Sequence, residues 1–236
     1  NKAYENYEFH VFYHSFYNFC VVDLSAFYLD ILKDRLYTYP KNSRERRSGQ
    51  TALNELLTGM TRLMAPILSF TAEEIWSYYS RGNSEEKSVH MSSFPEPMEV
   101  SVDDGFIRKW EMLTELKSEV SKALELCRSE KLIGHSLDAH VRLVLPANVR
   151  SVLGDEYVDL KFIFIVSSAE VVELLGDVDK VHRSENLEGV EIGVRRMGGD
   201  KCERCWNYFQ EEDGSGKGEH SSVCYRCIEN LESAKA

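Results

Sequence analysis

The N-terminal part of the chain has the hydrophobic spacing of consecutive helices. Apolar side chains recur every three or four residues in three stretches, residues 3–19, 24–37 and 44–64. Asp23 is placed to cap the second of these helices, and Pro66 follows the third and breaks its periodicity. The pattern therefore predicts several helices packed side by side in this part of the chain.

A fourth helix is predicted to begin at residues 71–74. Their sequence, TAEE, has the spacing of a capping box, in which a hydroxyl and a carboxylate bond each other's backbone N–H groups. Trp76 and Tyr79 then fall on the apolar side of that helix. The proline-containing segment at residues 94–97 follows and predicts a boundary, so residues 1–98 are predicted to form a helical-bundle domain.

The hydrophobic pattern changes in the second part of the chain. A long amphipathic helix is predicted over residues 104–129, and after Gly134 the apolar and polar residues alternate as in a half-buried strand. Strands are predicted at residues 139–145, 160–166 and 190–194, and short helices at residues 147–153 and 168–175. Residues 99–198 are thus predicted to hold the long helix and a small α/β unit, with a separate module over residues 199–236. The predicted fold class is mainly α.

The charge of the chain is unevenly distributed. The formal net charge is −11, which argues against indiscriminate binding of nucleic acid. Two short stretches are nevertheless basic, residues 33–47 and residues 195–204. The first contains only two acids, Asp34 and Glu45, against Lys33, Arg35, Lys41, Arg44, Arg46 and Arg47. Because the protein is acidic overall, we predict that an anionic partner binds at these two basic stretches.

Four cysteines near the C-terminus have the spacing of a metal site. They form two CxxC pairs, Cys202 with Cys205 and Cys224 with Cys227, separated by a polar, glycine-rich stretch. Two such pairs typically supply four thiolates to one tetrahedral Zn²⁺. Two disulfides, or a redox-active CxxC, are the alternative interpretations. A set of four cysteine ligands leaves no open coordination position, so the zinc is predicted to be structural and not catalytic.

Motifs for independent catalysis are absent from the sequence. It has no phosphate-binding GxxxxGK[ST] loop, no GxGxxG and no GxSxG elbow. No catalytic residue is therefore predicted. No run of about eighteen apolar residues occurs either, and no membrane span is predicted. The chain opens within helical periodicity, and we expect it to be a piece of a longer protein.

Several segments carry recognisable sequences. They are YEFH at 7–10, FCVVDLSAFYLD at 19–30, KDRLY at 33–37, RRSGQT at 46–51, APILSFTAEEIW at 65–76, IGHSLDA at 133–139, KCERCW at 201–206 and CYRC at 224–227. Together they resemble the anticodon-binding domain and C-terminal zinc module of bacterial-type isoleucyl-tRNA synthetases. The helical segments alone are also similar to the valyl and leucyl relatives, and the zinc ending favours the isoleucyl family.

The resemblance implies a tRNA-binding fragment of a larger ligase. That ligase would join isoleucine to tRNA-Ile with ATP, as a cytoplasmic and monomeric enzyme. Its catalytic HIGH-like and KMSKS-like motifs do not occur in this sequence, so ATP would bind only in a catalytic domain outside it. Gly49 departs from the family pattern, where we expect alanine in a helix. The implied partner of this chain is the anticodon stem-loop.

Candidate RNA contacts come from the two basic stretches. Tyr39 offers a stacking face, and Trp206 is predicted to be either a lid on the metal site or a stacking platform. Inside the two CxxC pairs, Arg204 and Arg226 would either offset the negative charge of a zinc–thiolate centre or touch phosphate. The phosphate-binding cations predicted at the start of the third helix are Lys41, Arg44, Arg46 and Arg47. The alternative function is a protein-interaction module whose tail is pinned by zinc.

Overall fold

The computed structural model describes residues 1–79, 86–97, 101–154, 159–209 and 221–233. It divides into two compact units, Asn1–Val100 and Ser101–Ala236. The second unit contains both the α/β region and the cysteine-rich ending. The mainly helical class, with a small sheet and a cluster of four cysteines, is confirmed. The bundle arrangement of the helices and the three-domain division at residues 98 and 198 stay predictions.

Helices make up the described part of the first unit. Their bounds are α1 Lys2–Glu5, α2 Phe9–Asn18, α3 Leu29–Thr38, α4 Arg44–Met64 and α5 Ser69–Tyr79, with a single 3-10 turn at Val89–Met91. A π-helical segment, Phe19–Tyr28, joins α2 to α3 without a break. The prediction that Asp23 caps a separate helix was therefore wrong, because the backbone stays helical on both sides of it.

The continuous helix Phe9–Thr38 is long and apolar. By length and composition it could cross a membrane, with a mean hydropathy of 1.2 over its most apolar window and only 6% of that window buried. Core helices of soluble proteins and signal sequences satisfy the same criterion. The expectation that the chain has no membrane span therefore stays a prediction. What the structure adds is an exposed apolar surface on this helix, carrying Tyr13, Tyr17 and Val22.

Helix α4 has the predicted bounds. The Ser43 hydroxyl accepts a hydrogen bond from the Arg46 backbone N–H at 3.2 Å and so caps its first turn. Helix α3 approaches α4 closely at Gly49, which is buried. A Cβ at this position would lie 3.1 Å from Cδ2 of Leu32, itself buried on α3. Gly49 thus serves the contact between two helices, which explains the departure from alanine.

The core of the first unit lies around Trp76. It contains the buried residues Met64, Ala65, Ala72, Trp76 and Val89, with Phe12 and Phe16 packed against them. The indole N–H of Trp76 donates to the Glu86 carbonyl at 3.1 Å.

The predicted capping box on α5 was wrong, since the helix begins earlier, at Ser69. Glu73 instead accepts hydrogen bonds from the Ser88 hydroxyl at 2.8 Å and from the Val89 N–H at 3.1 Å. It thereby fixes the 3-10 turn against α5.

The second unit is built on α6, Asp104–Ser129, whose predicted bounds are confirmed. Its buried face packs against α7, α8 and a four-stranded sheet of order β2-β1-β4-β3. Strand β1 pairs in parallel with β2, and the other neighbours are antiparallel. The remaining bounds are β1 Ala139–Val144, α7 Ala147–Leu153, α8 Leu160–Phe164, β2 Ser168–Val171, β3 Lys180–Arg183 and β4 Glu191–Arg196. The expected strand at 139–145, helix at 147–153 and strand at 190–194 are confirmed.

Two predicted elements of this unit are exchanged in the structure. The apolar run at residues 160–166 is the helix α8, not a strand, and it ends at Ile165 in the left-handed conformation (φ 57°). Residues 168–171 form β2, not a helix, because they pair along β1. A short apolar run has no hydrophobic period that distinguishes a helix from a strand. Its secondary structure is therefore decided by the elements against which it packs or pairs.

A buried carboxylate ties α6 to the sheet. Glu119 is 1% exposed and accepts hydrogen bonds from the Lys122 ammonium at 2.6 Å and the Asn186 amide at 2.9 Å. The His182 ring nitrogen lies 3.1 Å from its other oxygen. Burial raises the pKa of Glu119, but hydrogen bonds from Lys122, His182, Ser184 and Asn186 outweigh burial and lower the pKa to about 2. The side chain is therefore ionised inside the unit.

Candidate metal centre and nucleic-acid interface

The four predicted metal ligands are brought together by a hairpin and a helix. Strands β5, Asp200–Lys201, and β6, Tyr208–Phe209, pair antiparallel and hold Cys202 and Cys205 in their connection. Cys224 precedes helix α9, Tyr225–Ser233, and Cys227 lies in its first turn. The Tyr208 backbone N–H donates to the Ser167 hydroxyl at 2.8 Å. That bond attaches the hairpin to the end of α8 and the start of β2.

The sulfur atoms have the spacing of a tetrahedral site. All four lie within 4.8 Å of one another, and the Sγ atoms of Cys205 and Cys224 are 3.7 Å apart. Thiolates at about 2.3 Å from a tetrahedral Zn²⁺ would be separated by about 3.8 Å. The backbone N–H groups of Cys205 and Cys224 point to the Cys202 sulfur, at 3.5 and 3.3 Å. The six cysteines, all within the described residues, are free thiols, so the disulfide alternative finds no support here.

Hydrogen bonds among the four thiols shift their pKa values in opposite directions. Hydrogen bonds from Cys205, Cys224 and Cys227 lower the pKa of Cys202 below its usual range. Hydrogen bonds with Cys202, Cys205 and Cys224 raise the pKa of Cys227, because its proton is shared with these sulfurs. A cation at the centre would remove this competition by stabilising all four thiolates together. The cluster can therefore hold a metal ion, and its fourfold sulfur set leaves no position for substrate.

Trp206 does not lie buried over the cluster. It follows Cys205 directly, adopts the left-handed conformation (φ 64°) and leaves 59% of its side chain exposed. The Lys201 ammonium is 5.8 Å from the centre of its ring. A large exposed ring beside a cation is suited to stacking with a base. Its role in RNA binding stays a prediction.

The two arginines inside the CxxC pairs are both half-buried. The Arg226 guanidinium lies 5.2 Å from the ring centre of Phe162 on α8, and the Lys161 ammonium is 5.1 Å from the same ring. Arg226 therefore helps to fasten α9 to the rest of its unit. Sequence reasoning missed Phe162 because residues 160–166 were predicted as a strand. The proposed phosphate contacts of Arg204 and Arg226 stay predictions.

The basic stretch of the first unit forms a cationic corner, defined as Lys41, Arg44, Arg46 and Arg47. Lys41, Arg44 and Arg47 are exposed, Arg46 is half-buried, and Tyr39 precedes them in extended conformation after α3. Across the described ranges, no carboxylate lies within 4.0 Å of any of the four cations. The buried Nε of Arg46 also has no hydrogen-bond acceptor there. The corner thus presents unneutralised positive charge at the start of a rigid helix.

Comparison with known proteins identifies the family of the chain. The family model for the anticodon-binding domain of tRNA ligase matches residues 1–143, more than half of the sequence. The chain belongs to this family. The match covers the cationic corner and continues through α6 into β1. Anticodon-binding domains are nucleic-acid-binding modules, and the location of the free cations is consistent with that class.

Several isoleucine–tRNA ligases resemble the chain along nearly its whole length. The chain is 48% identical to the one of Syntrophotalea carbinolica over 96% of its residues, and these match 24% of that protein. It is 44% identical to the one of Caldanaerobacter subterraneus subsp. tengcongensis over 98% of its residues, and 43% identical to that of Geobacter sulfurreducens over 95%. The chain spans about a quarter of the length of these relatives. The predicted resemblance is confirmed.

Proposed function

We propose that this chain binds the anticodon stem-loop of tRNA-Ile as the tRNA-recognising part of an isoleucine–tRNA ligase. The family match and the names of its relatives support this proposal. The observation that carries it is the cationic corner, whose four cations have no acidic partner among the described residues. The ATP-dependent reaction would take place in parts of the ligase that this chain does not span.

The position of the corner on its helix favours an anionic ligand. Arg44, Arg46 and Arg47 lie in the first turn of α4, where the backbone N–H groups already present partial positive charge. Cations at a helix N-terminus oppose the helix dipole and typically cost about 0.3–1 kcal/mol each. An RNA phosphate would be stabilised by both the N–H groups and the side chains. Without such a ligand, the three arginine charges oppose the helix dipole, and Glu45 in the same turn offsets part of this cost.

Recognition of bases requires aromatic or edge contacts in addition to phosphate contacts. Sequence-specific RNA binding typically unstacks loop bases onto aromatic side chains. Tyr39 adjoins the cationic corner, and Trp206 presents an exposed ring on the other unit. We propose Tyr39 and Trp206 as stacking residues, with Lys41, Arg44, Arg46, Arg47, Arg204 and Arg226 as phosphate contacts.

The cysteine cluster is proposed to bind one structural Zn²⁺. Four buried or half-buried thiols at tetrahedral spacing match the preference of zinc for sulfur ligands. Cys202 and Cys227 also form the centre of a small core with Phe209 and Val223. So small a core requires the metal for its stability. The proposal extends to a cytoplasmic, monomeric parent enzyme.

A binding experiment tests the RNA proposal. The zinc-loaded chain is titrated with tRNA-Ile and with the same tRNA carrying a changed anticodon, at about 50 and about 200 mM salt. We expect tighter binding to tRNA-Ile. The double variant Arg44→Gln/Arg47→Gln should weaken binding and reduce the slope of log K against log salt by about two ions, since each lost phosphate contact removes about one.

The matched control is Arg183→Gln. Arg183 is exposed but pairs with Glu191 at 2.8 Å, so its replacement should leave the salt slope unchanged. Equal binding of both tRNAs, or an unchanged slope in the double variant, contradicts the proposal.

A protein-interaction module is the second candidate function. The exposed apolar surface of the helix Phe9–Thr38 favours it, because exposed apolar patches typically mark interaction sites. A folded, zinc-loaded chain that binds no tRNA at low salt would support this candidate over the first.

A further inference from the structure

A second basic site lies at the C-terminal end of α6, remote in sequence from the cationic corner. It is a surface pocket of about 420 Å³ lined by Arg128, Lys131 and Arg196, together with Gly134 and Asp138. Leu132 and Ile133 complete its wall. Its residues come from two separate stretches of the chain, residues 128–138 at and after the end of α6 and the last position of β4.

The acids around this pocket are already engaged. Asp138 accepts hydrogen bonds from the backbone N–H groups of Gly134 and His135, at 3.0 and 2.8 Å. Asp179 accepts from the backbone N–H of Arg196 at 2.7 Å. Arg128 pairs with Glu125 at 3.2 Å. Along the described chain, the side chains of Lys131 and Arg196 have no carboxylate within 4.0 Å.

Lys131 occupies a backbone position that favours glycine. Its φ is 60°, and the Leu132 N–H donates to the Cys127 carbonyl at 2.9 Å, which closes the C-terminal turn of α6. An L-residue in this conformation is strained, and glycine is the usual residue at such a helix end. A cation at the C-terminal end of a helix does stabilise that helix, because it interacts favourably with the helix dipole. Arg196, however, comes from β4 and does not interact with the dipole of α6. The helix dipole therefore does not explain why Lys131 and Arg196 line the same pocket.

We propose that this pocket, defined by Lys131 and Arg196, binds a backbone phosphate of the RNA bound by the chain. The inference rests on the proposed function. It gives Arg196, from the basic stretch 195–204, a specific phosphate contact and adds Lys131, which belongs to neither basic stretch. The planar guanidinium of Arg196 can donate two hydrogen bonds to phosphate oxygens, and Lys131 supplies a compact charge beside it. A phosphate contact of this kind fixes the position of the RNA and carries no base specificity.

The test measures tRNA-Ile binding by the full zinc-loaded chain and by the variants Lys131→Gly and Arg196→Gln. Each variant should reduce the salt slope by about one ion, so the wild-type advantage at about 50 mM salt should be about threefold larger than at about 200 mM. The loss should be equal for tRNA-Ile and for the anticodon-changed tRNA, because the contact reads no base.

The control is Arg195→Gln. Arg195 neighbours Arg196 on β4 and is also exposed, but it pairs with Asp177 at 3.4 Å and does not line the pocket. This variant should retain the wild-type slope. Lys131→Gly provides a second control on folding, since glycine relieves the strain at this position. We expect its melting temperature to equal or exceed that of the wild type while its RNA affinity falls, a combination that a purely structural role of Lys131 would not produce.

The outcomes separate this inference from the proposed function. If Arg44→Gln/Arg47→Gln weakens binding and both pocket variants retain the wild-type slope, the pocket inference is overturned and the corner stands. If the pocket variants lose affinity and the corner variant does not, the pocket inference stands and the proposed role of the cationic corner is overturned. Absence of tRNA binding by the wild type overturns both. The last experiment is a titration with inorganic phosphate. If free phosphate binds the pocket but the pocket variants leave RNA affinity unchanged, the inference is also overturned.

Discussion

Glu119 shows how one charge can be stabilised away from water. Its carboxylate is nearly inaccessible, and polar groups from α6, β3 and the loop after β3 surround it. Because its folded pKa is about 2 against an ordinary value of 4.5, the ionised form stabilises the native state by about 3 kcal/mol. That stability is fully present above pH 4.5 and is lost as the pH falls towards 2.

The first prediction concerns this carboxylate. Glu119→Gln should lower the free energy of unfolding of the chain by about 2–4 kcal/mol at pH 7, because Lys122 and His182 lose their charged partner in a buried place. The loss should shrink as the pH falls from 4.5 towards 2, where the wild type loses the same charge. Urea unfolding at several pH values measures this. Glu125→Gln on the exposed side of α6 is the control and should change stability by less than about 0.5 kcal/mol. An equal loss at every pH would contradict the linkage.

The second prediction concerns the cysteine cluster. Cys202→Ser should abolish binding of about one Zn²⁺ per chain, since Cys202 is fully buried and receives two backbone N–H groups. Metal analysis by atomic absorption after dialysis measures the stoichiometry. Cys20→Ser, a half-buried cysteine of the first unit, should retain the metal. Retention of zinc by Cys202→Ser would show that Cys202 is not a required ligand of the metal.

At the scale of elements, the helices α4 and α6 were predictable, whereas the short neighbours α8 and β2 were not. The bounds of α4 and α6 follow from the sequence because each has a long apolar period and a capping side chain, Ser43 or Asp103. The exchange of α8 and β2 was not predictable, since β2 exists only through its pairing with β1. The same limit applies to the site. The spacing of the cysteines determines their cluster, whereas the contact of Arg226 with Phe162 depends on a helix that the local sequence does not specify.

The third prediction compares two glycines of α4. Gly49→Val should lower the free energy of unfolding by about 1–3 kcal/mol, because its side chain would overlap Leu32 across the contact with α3. Gly59→Val on the same helix meets no atom within 4 Å of its Cβ and should change stability by less than about 0.5 kcal/mol. Thermal unfolding followed by circular dichroism compares them. Equal effects would show that the close approach at Gly49 is not needed.

At the scale of the whole molecule, charge and apolar surface are both unevenly distributed. The net charge of −11 repels RNA at a distance, so binding must depend on the few cations that lack acidic neighbours. The apolar surface is concentrated on the helix Phe9–Thr38, of which little is covered within the described residues. A surface of this kind in water favours association with another protein surface.

The fourth prediction follows from that exposed helix. The chain on its own should self-associate as its concentration rises. The triple variant Tyr13→Ser/Tyr17→Ser/Val22→Ser should be more nearly monomeric, since it removes three side chains that are between 53% and 58% exposed. Sedimentation velocity at several concentrations measures the change. Leu174→Ser, which removes an 82% exposed side chain from the other unit, is the control. Identical sedimentation of the triple variant and the wild type would exclude this surface as the cause.

The exposure of Trp206 gives the molecule a built-in optical reporter. Trp76 is fully buried and Trp110 half-buried, so the indole beside Lys201 is the tryptophan most open to solvent. Collisional quenchers such as acrylamide will therefore act chiefly on its emission. A base stacked on that ring would shield it and quench it statically, and the fluorescence of the unlabelled chain would then report when RNA reaches the cysteine-rich end.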